Sequence, residues 1–303
     1  EVGDDLIGML NRCPSARTLK SVALRDCELG EGCTQALCLE NLTSLTLTAA
    51  SAKPQLTTLL EHSGNVKSLT YEHSSTLTDG DTADLGRILG ASLEELNLNY
   101  TKLSKPVGSF PKLTHASFAG GLCLTNLSKF DSPNLTALDL TYCIRLSDTQ
   151  IEKVVRNSPA LKTLITVKCS GVHSLNLESN SLRRLDVGFT HNLRELKLRC
   201  PALENLDTSC CSSLKAMSLD NLHNLQNLDL GGLVQLRALR VTHARSLIRL
   251  DLRSCRRLDR CQIDCPNLRA ANLGGCKTAA IASIFRDAVL HDTDPSRLGL
   301  TRF

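Results

Sequence analysis

The chain has 303 residues, long enough for a sizeable core, and a net charge of +4, too mild by itself to point to nucleic acid. Aromatic residues make up only 3 %, with no tryptophan, so leucine must build the interior, as happens when one small unit is stacked many times. No run reaches eighteen apolar residues, which excludes a membrane-spanning helix, and Glu1–Asp5 lacks the basic and apolar regions of a signal peptide.

A Leu-x-x-Leu-x-Leu pattern organises the chain. In the first half it begins at Leu19, Leu42, Val66, Leu93, Leu113, Leu135 and Leu161, mostly more than twenty residues apart. The extra length carries helix signals at Gln55–Leu60, Asp79–Leu89 and Ser147–Asn157, the last with Ile151, Val154 and Val155 on one face. No helical segment like that of an F-box is read ahead of residue 13. From Val172 the motif recurs at Leu182, Leu193, Leu203, Leu214, Leu225, Leu236, Leu247, Leu258 and Leu268, every ten or eleven residues.

Ten residues cannot complete a turn of a leucine-rich solenoid, so two short strands per coil are expected. One series centres on Leu164, Leu185, Leu206, Leu228, Leu250 and Ala271. The other centres on Leu175, Leu196, Met217, Leu239 and Cys261, and within each the step is 21 or 22 residues. The fold class is an α/β repeat solenoid, rich in strand. Residues 1–160 hold longer helix-containing units, residues 161–276 form two parallel sheets, and residues 277–303 form a capping helix (Lys277–Leu290) and tail. The middle and last apolar residues of each motif should point inward.

The run from Leu135 to Leu161, with Leu138, Leu140, Cys143, Leu146 and Ile151 in their places, resembles the cysteine-containing class of leucine-rich repeats. Cys200-Pro201-Ala202-Leu203 and Cys265-Pro266-Asn267-Leu268 are similar to that family's Cys-Pro-x-Leu join, and the likeness spans about residues 13–276. Such repeats form the substrate-binding halves of F-box proteins, so the resemblance implies a substrate receptor of a ubiquitin ligase, with ligase subunits as partners. The double-strand region looks more like short 21-residue repeats in which both halves carry the leucine motif.

Three residues past the last apolar position of the first series stand Cys143, Cys169, Thr190, Cys211, Leu233, Cys255 and Cys276. A small side chain there should serve turn N–H groups. Most of the fourteen cysteines therefore read as reduced, buried thiols rather than disulfides or metal ligands, which points to a reducing, cytoplasmic compartment. The triplets at Asn41, Asn99, Asn126 and Asn134 matter as glycan sites only in a secreted protein.

Outward positions carry the candidate surface. Asp139, Asp186, Asp207, Asp229 and Asp251 form a column, readable as a repeat-consensus turn residue, an acidic recognition stripe or a calcium site. Arg184 and Arg249 flank it. Between residues 237 and 260 eight arginines face only Asp251 and Asp259, leaving +6. Arg249 and Arg253 fall on the first series, Arg240 and Arg260 on the second, and Arg256 and Arg257 on joining turns. The cluster reads as a docking patch for an acidic or phosphorylated protein segment, or as a solubilising band; nucleic acid is disfavoured because aromatic residues are not interleaved. Arg249 and Arg253 about Asp251 are the expected centre, with Asn205, Ser209, Asn227 and Gly231 as a low seat. No phosphate loop, nucleophile elbow or metal-ligand spacing is present, so no enzyme, cofactor or metal is expected, nor a membrane partner. The expected function is a protein-interaction scaffold, with a secreted or effector-type repeat protein as the alternative.

Overall fold

The computed structural model describes residues 2–25, 36–48 and 56–277. Its contacts divide the chain into two units, residues 1–145 and 146–303.

In the first unit six parallel strands pair in chain order: Ser21–Arg25, Ser44–Thr48, Ser68–Glu72, Glu95–Asn97, His115–Ser117 and Ala137–Asp139. Period-two alternation turns Val22, Leu45, Leu69, Leu96, Ala116 and Leu138 into the core. Register then stacks leucine on leucine, Leu45 against Leu69 and Leu69 against Leu96. Helices occupy Leu56–Leu60 and Asp79–Leu89, where the pattern places them. The second is started by a capping box: Thr78 donates its backbone N–H to Asp81 Oδ2 at 2.7 Å, and its hydroxyl accepts from the Asp81 N–H.

Two elements of this unit escape the leucine pattern. The helix Val2–Arg12 precedes the first strand. Its stripe of Leu6, Ile7 and Leu10 is short and interrupted by Gly3 and Gly8, so its periodicity is weak, yet Ile7 is fully buried. A two-stranded ladder pairs Val107–Ser109 with Lys129–Asp131. The helix Asp79–Leu89 packs on it at very short range because Gly86 and Gly90 face it; a Cβ on Gly90 would stand 2.3 Å from the Ser109 carbonyl oxygen. Phe110, Phe118 and Phe130 pack about this ladder, with Phe130 5.0 Å from the Phe110 ring and 5.2 Å from the Phe118 ring.

The second unit begins with the helix Asp148–Asn157, which buries Ile151 and Val155. Beyond it each coil carries two strands. The first-series wall comprises two three-stranded parallel ladders. One contains Thr163–Ile165, Arg184–Asp186 and Asn205–Asp207; the other contains Asn227–Asp229, Arg249–Asp251 and Ala270–Asn272. The second-series wall is one unbroken five-stranded parallel sheet: Ser174–Glu178, Glu195–Arg199, Ala216–Asp220, Ala238–Thr242 and Arg260–Ile263. Its centres Leu175, Leu196, Met217, Leu239 and Cys261 align rung by rung and are all buried. Leu164, Leu185, Leu228 and Leu250 are buried likewise. Leu206 and Ala271 are only half-buried, against expectation. Each lies on the last strand of its ladder, with no hydrogen-bonded strand beyond it among the described residues.

The edge of the five-stranded sheet is closed by the helix before it. Asp148 accepts from the His173 and Ser174 N–H groups at 2.7 and 3.0 Å, and Glu152 accepts from Asn176 N–H at 2.9 Å. An open strand edge would otherwise offer these donors to another chain. The capping helix expected at Lys277–Leu290 lies outside the described residues, except for Lys277.

The turns repeat as closely as the strands. In Cys200-Pro201-Ala202-Leu203 and Cys265-Pro266-Asn267-Leu268 the leucine N–H returns to the cysteine carbonyl at 3.0 and 3.1 Å. Ser158-Pro159-Ala160-Leu161 closes the same way, at 3.0 Å. These are β-turns, with proline at the position whose φ it pre-sets. The residue before each first-series cap adopts a left-handed conformation, as at Lys168, Phe189, Cys210, Gly232, Ser254 and Gly275. Cys210 is one of these turn residues, exposed beside a buried cap.

Candidate partner-binding face

The repeated polar positions on the first-series wall are occupied with holding the coil together. Asp186, Asp207, Asp229 and Asp251 each accept a hydrogen bond through Oδ1 from the backbone N–H two residues on, at 3.0, 2.8, 2.8 and 2.8 Å. Asp139 in the first unit does the same with Thr141, at 2.8 Å. Asn97 and Asn272 make the equivalent bond, so the position needs an acceptor and not a charge. Arg184 pairs with Asp186 at 3.8 Å. Arg253 pairs with Asp251 at 3.6 Å and Asp229 at 3.8 Å. Its side chain lies over Gly231, where an added Cβ would come within 2.9 Å of Nε, so the expected low seat is filled at that rung. Arg249 is exposed on the same wall. Arg256 and Arg257 lie exposed on the joining turn, and Arg257 donates to Gln235 at 2.6 Å.

Behind this wall the caps also bond inward. Cys211 Sγ donates to the Val187 carbonyl at 3.1 Å, Cys255 to Leu230 at 3.3 Å and Cys276 to Leu252 at 3.1 Å. Thr190 makes the same bond to Thr166 at 3.0 Å, as does Cys143 of the first unit to Phe118 at 3.2 Å. The groups served are carbonyl oxygens of the preceding coil, not the turn N–H groups expected. A thiol is a donor, and after the strand ends those carbonyls need one. Burial pushes the Cys211 and Cys255 thiols up to about 12 and Cys200 up to about 11. Cys265 is pushed to about 12 for the same reason. These thiols are neutral packing groups rather than nucleophiles.

The second-series wall is different. Its outward residues form three rows across the five strands. The first reads Ser174, Glu195, Ala216, Ala238, Arg260; the next reads Asn176, Lys197, Ser218, Arg240, Gln262; the third runs Glu178, Arg199, Asp220, Thr242. No residue type repeats along the full length of a row. Lys197 pairs with Glu195 at 3.2 Å, and Arg199 bridges Glu178 at 3.8 Å and Asp220 at 3.5 Å. Asp220 also accepts from Thr242 at 2.7 Å and stands 3.0 Å from the His243 ring. The His243 contact, then the Thr242 bond, hold its carboxyl below the ordinary carboxylate range.

Arg240 and Arg260 are exposed and make no direct ion pair or side-chain hydrogen bond among the described residues, though Arg260 stands near enough to Asp259 to help hold its carboxyl below the ordinary range. Both line a hollow of about 450 Å³ floored by Ala216 and Ala238 and bounded opposite by Glu195 and Lys197. A second hollow, of about 390 Å³, shares Lys197 and Arg240 with it and adds Glu178, Arg199 and Asp220. Of the residues singled out in the sequence, the structure thus gathers Arg240 and Arg260 at one hollow and leaves Arg249 and Arg253 on the other wall. The alanines that make the floor went unread, since alanine at an outward strand position carries no chemical signal of its own. Among the described residues no group of three His, Cys, Asp or Glu side chains could hold a metal, and no helix is long and apolar enough to cross a membrane.

Residues 89–231, just under half of the chain, match the family model described as FBD-associated F-box protein At5g56370, LRR repeats. No curated protein matches the sequence. Among solved structures the chain is similar to an internalin from Listeria monocytogenes at 12 % identity and a TM-score of 0.33, over 91 % of this chain and 83 % of that one. A leucine-rich repeat protein of Leptospira interrogans aligns at 14 % identity and a TM-score of 0.28, over 95 % and 97 %. The leucine-rich repeat fold is seen in the register of the parallel strands, with steps of 21 or 22 residues.

Proposed function

We propose that this leucine-rich repeat protein is a non-catalytic scaffold that binds another protein, and that it serves as the substrate-recognition part of an F-box-type ubiquitin ligase in a reducing, cytoplasmic compartment. The carrying observation is the five-stranded face. Its backbone is fixed by neighbouring rungs, and its outward side chains vary from rung to rung without being needed to close turns. Repeat proteins of this kind use such extended faces for binding. The ligase assignment is supported by the family model over residues 89–231, whose printed description is of an F-box protein's repeats. The compartment is supported by the thiols used as hydrogen-bond donors in the core.

Affinity purification of the full-length protein from its own cells, followed by mass spectrometry, tests the ligase role. Ligase subunits should co-purify; their absence beside a recovered partner would contradict that role and leave the scaffold standing. Alkylation of denatured, non-reduced protein tests the compartment. All fourteen cysteines should react, whereas protected pairs would favour a secreted protein.

A further inference from the structure

The hollow on the five-stranded sheet has a chemistry specific enough to name what fits it. Four basic side chains stand on this face, and two are already neutralised: Lys197 by Glu195, and Arg199 by Glu178 and Asp220. The acidic residue beside the hollow, Asp259, is taken by Lys277 at 2.5 Å. What remains is Arg240 and Arg260, two guanidinium groups in no direct ion pair among the described residues, on adjacent strands beside the alanine floor. Guanidinium groups bind carboxylates in forked pairs, and these two are exposed, so a ligand can reach both.

We propose that this hollow seats an extended acidic segment of the partner protein, with carboxylates against Arg240 and Arg260 and small side chains on Ala216 and Ala238. The inference rests on the scaffold reading above and deepens it by placing the site. The spacing follows from the register. Ala238 pairs with Arg260 and Arg240 with Gln262, so the two arginines are offset by one strand and two residues. Strands lie about 4.8 Å apart and residues rise about 3.3 Å, which separates the two α-carbons by roughly 8 Å. Two carboxylates on one face of an extended segment, at alternate residues, are about 6.6 Å apart. Flexible arginine stems cover the difference. The residue between the two carboxylates faces away, and a small side chain at the next inward position fits the alanine floor. Two separated single charges match two separated carboxylates better than one doubly charged phosphate.

The test uses fluorescence polarisation with the full chain and a labelled peptide that carries aspartate at two alternate positions and alanine at the next alternate positions of the same face. It should bind, weaken at least about tenfold in R240A/R260A, and be unchanged in R249A/R253A, with circular dichroism showing all three proteins equally folded. A matching asparagine–alanine peptide should not bind. Equal binding of the two peptides, or full binding by R240A/R260A, would overturn the proposal. So would binding of a phosphoserine–alanine peptide where the aspartate peptide fails. The natural partner separates this inference from the scaffold reading. A partner that is recovered and binds R240A/R260A at full strength defeats the site and leaves the scaffold. A full-length protein that recovers no partner and binds no acidic peptide defeats both.

Discussion

The two walls of the second unit are built from the same leucine motif, yet their outward residues do opposite things. On the first-series wall one aspartate recurs rung after rung, and every copy accepts a backbone N–H two residues on. On the second-series wall no residue type recurs along a whole row, and two arginines stand without a direct ion pair among the described residues beside an alanine floor. The difference teaches that in a repeat protein a regular column is the mark of a local structural need that every coil shares. Recognition of one partner needs different groups on different rungs, so it is written where the repeat is broken.

The largest break in this comparison comes from the core that both walls share. Leu196→Asp places a carboxylate at a fully buried position between Leu175 and Met217. Losing the leucine alone costs about 2–5 kcal/mol, and an unpaired buried carboxylate adds to it. The second unit should lose its cooperative urea transition. Leu206→Asp should be milder, because Leu206 is half-buried at the end of its ladder. Equal transitions for the two variants would mean that the ladder break has no energetic consequence.

Second in size is an effect of alkaline pH, carried by the thiols behind the walls. Cys211, Cys255 and Cys265 are raised by burial from an ordinary 9.0 to about 12, and Cys200 to about 11. The unfolded chain therefore releases these protons at lower pH than the folded one. The stability they protect is fully present below about pH 9 and is lost progressively as pH rises towards 12. Urea midpoints measured from pH 8 upward should fall along this path, less steeply in a C211T/C255T variant.

Next, Cys211→Ala removes the 3.1 Å bond to the Val187 carbonyl and should cost about 1–3 kcal/mol, the penalty for an acceptor left unpaired in the interior. Cys211→Thr should recover much of that, since Thr190 makes the same bond one coil earlier. The smallest effect belongs to the column. Asp207→Ala should cost about 1 kcal/mol, and Asp207→Asn almost nothing, because Asn272 closes the same turn. Thermal melts of the two column variants would check this; a stabilising Asp207→Ala would show that charge repulsion outweighs the turn.

The sequence made the strand phase legible because leucine at period two has one physical meaning in a strand, and Leu185, Leu196 and Leu250 fall inside as read. It also gave the helices Asp79–Leu89 and Asp148–Asn157 within a residue or so. The ladder at Val107–Ser109 and Lys129–Asp131 was hidden because its inner residues are Gly108 and Phe130 rather than leucine, and its fit depends on Gly86 and Gly90 of a neighbouring helix. The arginine cluster was visible as a charge, but not how it is shared out. Arg253 is neutralised by two aspartates while Arg240 is not, and that depends on which carboxylates the coils bring alongside.

The most direct test of the central claim measures stability and binding on one pair of variants, D207A/D229A from the regular column and R240A/R260A from the irregular face. Urea midpoints and polarisation titrations with the aspartate–alanine peptide would be run side by side. The column variant should lower the midpoint and leave peptide affinity unchanged, while the face variant should keep the midpoint and lose affinity. Loss of affinity in D207A/D229A with full binding by R240A/R260A would contradict the account, and would make the repeated aspartates, not the unpaired arginines, the recognition surface.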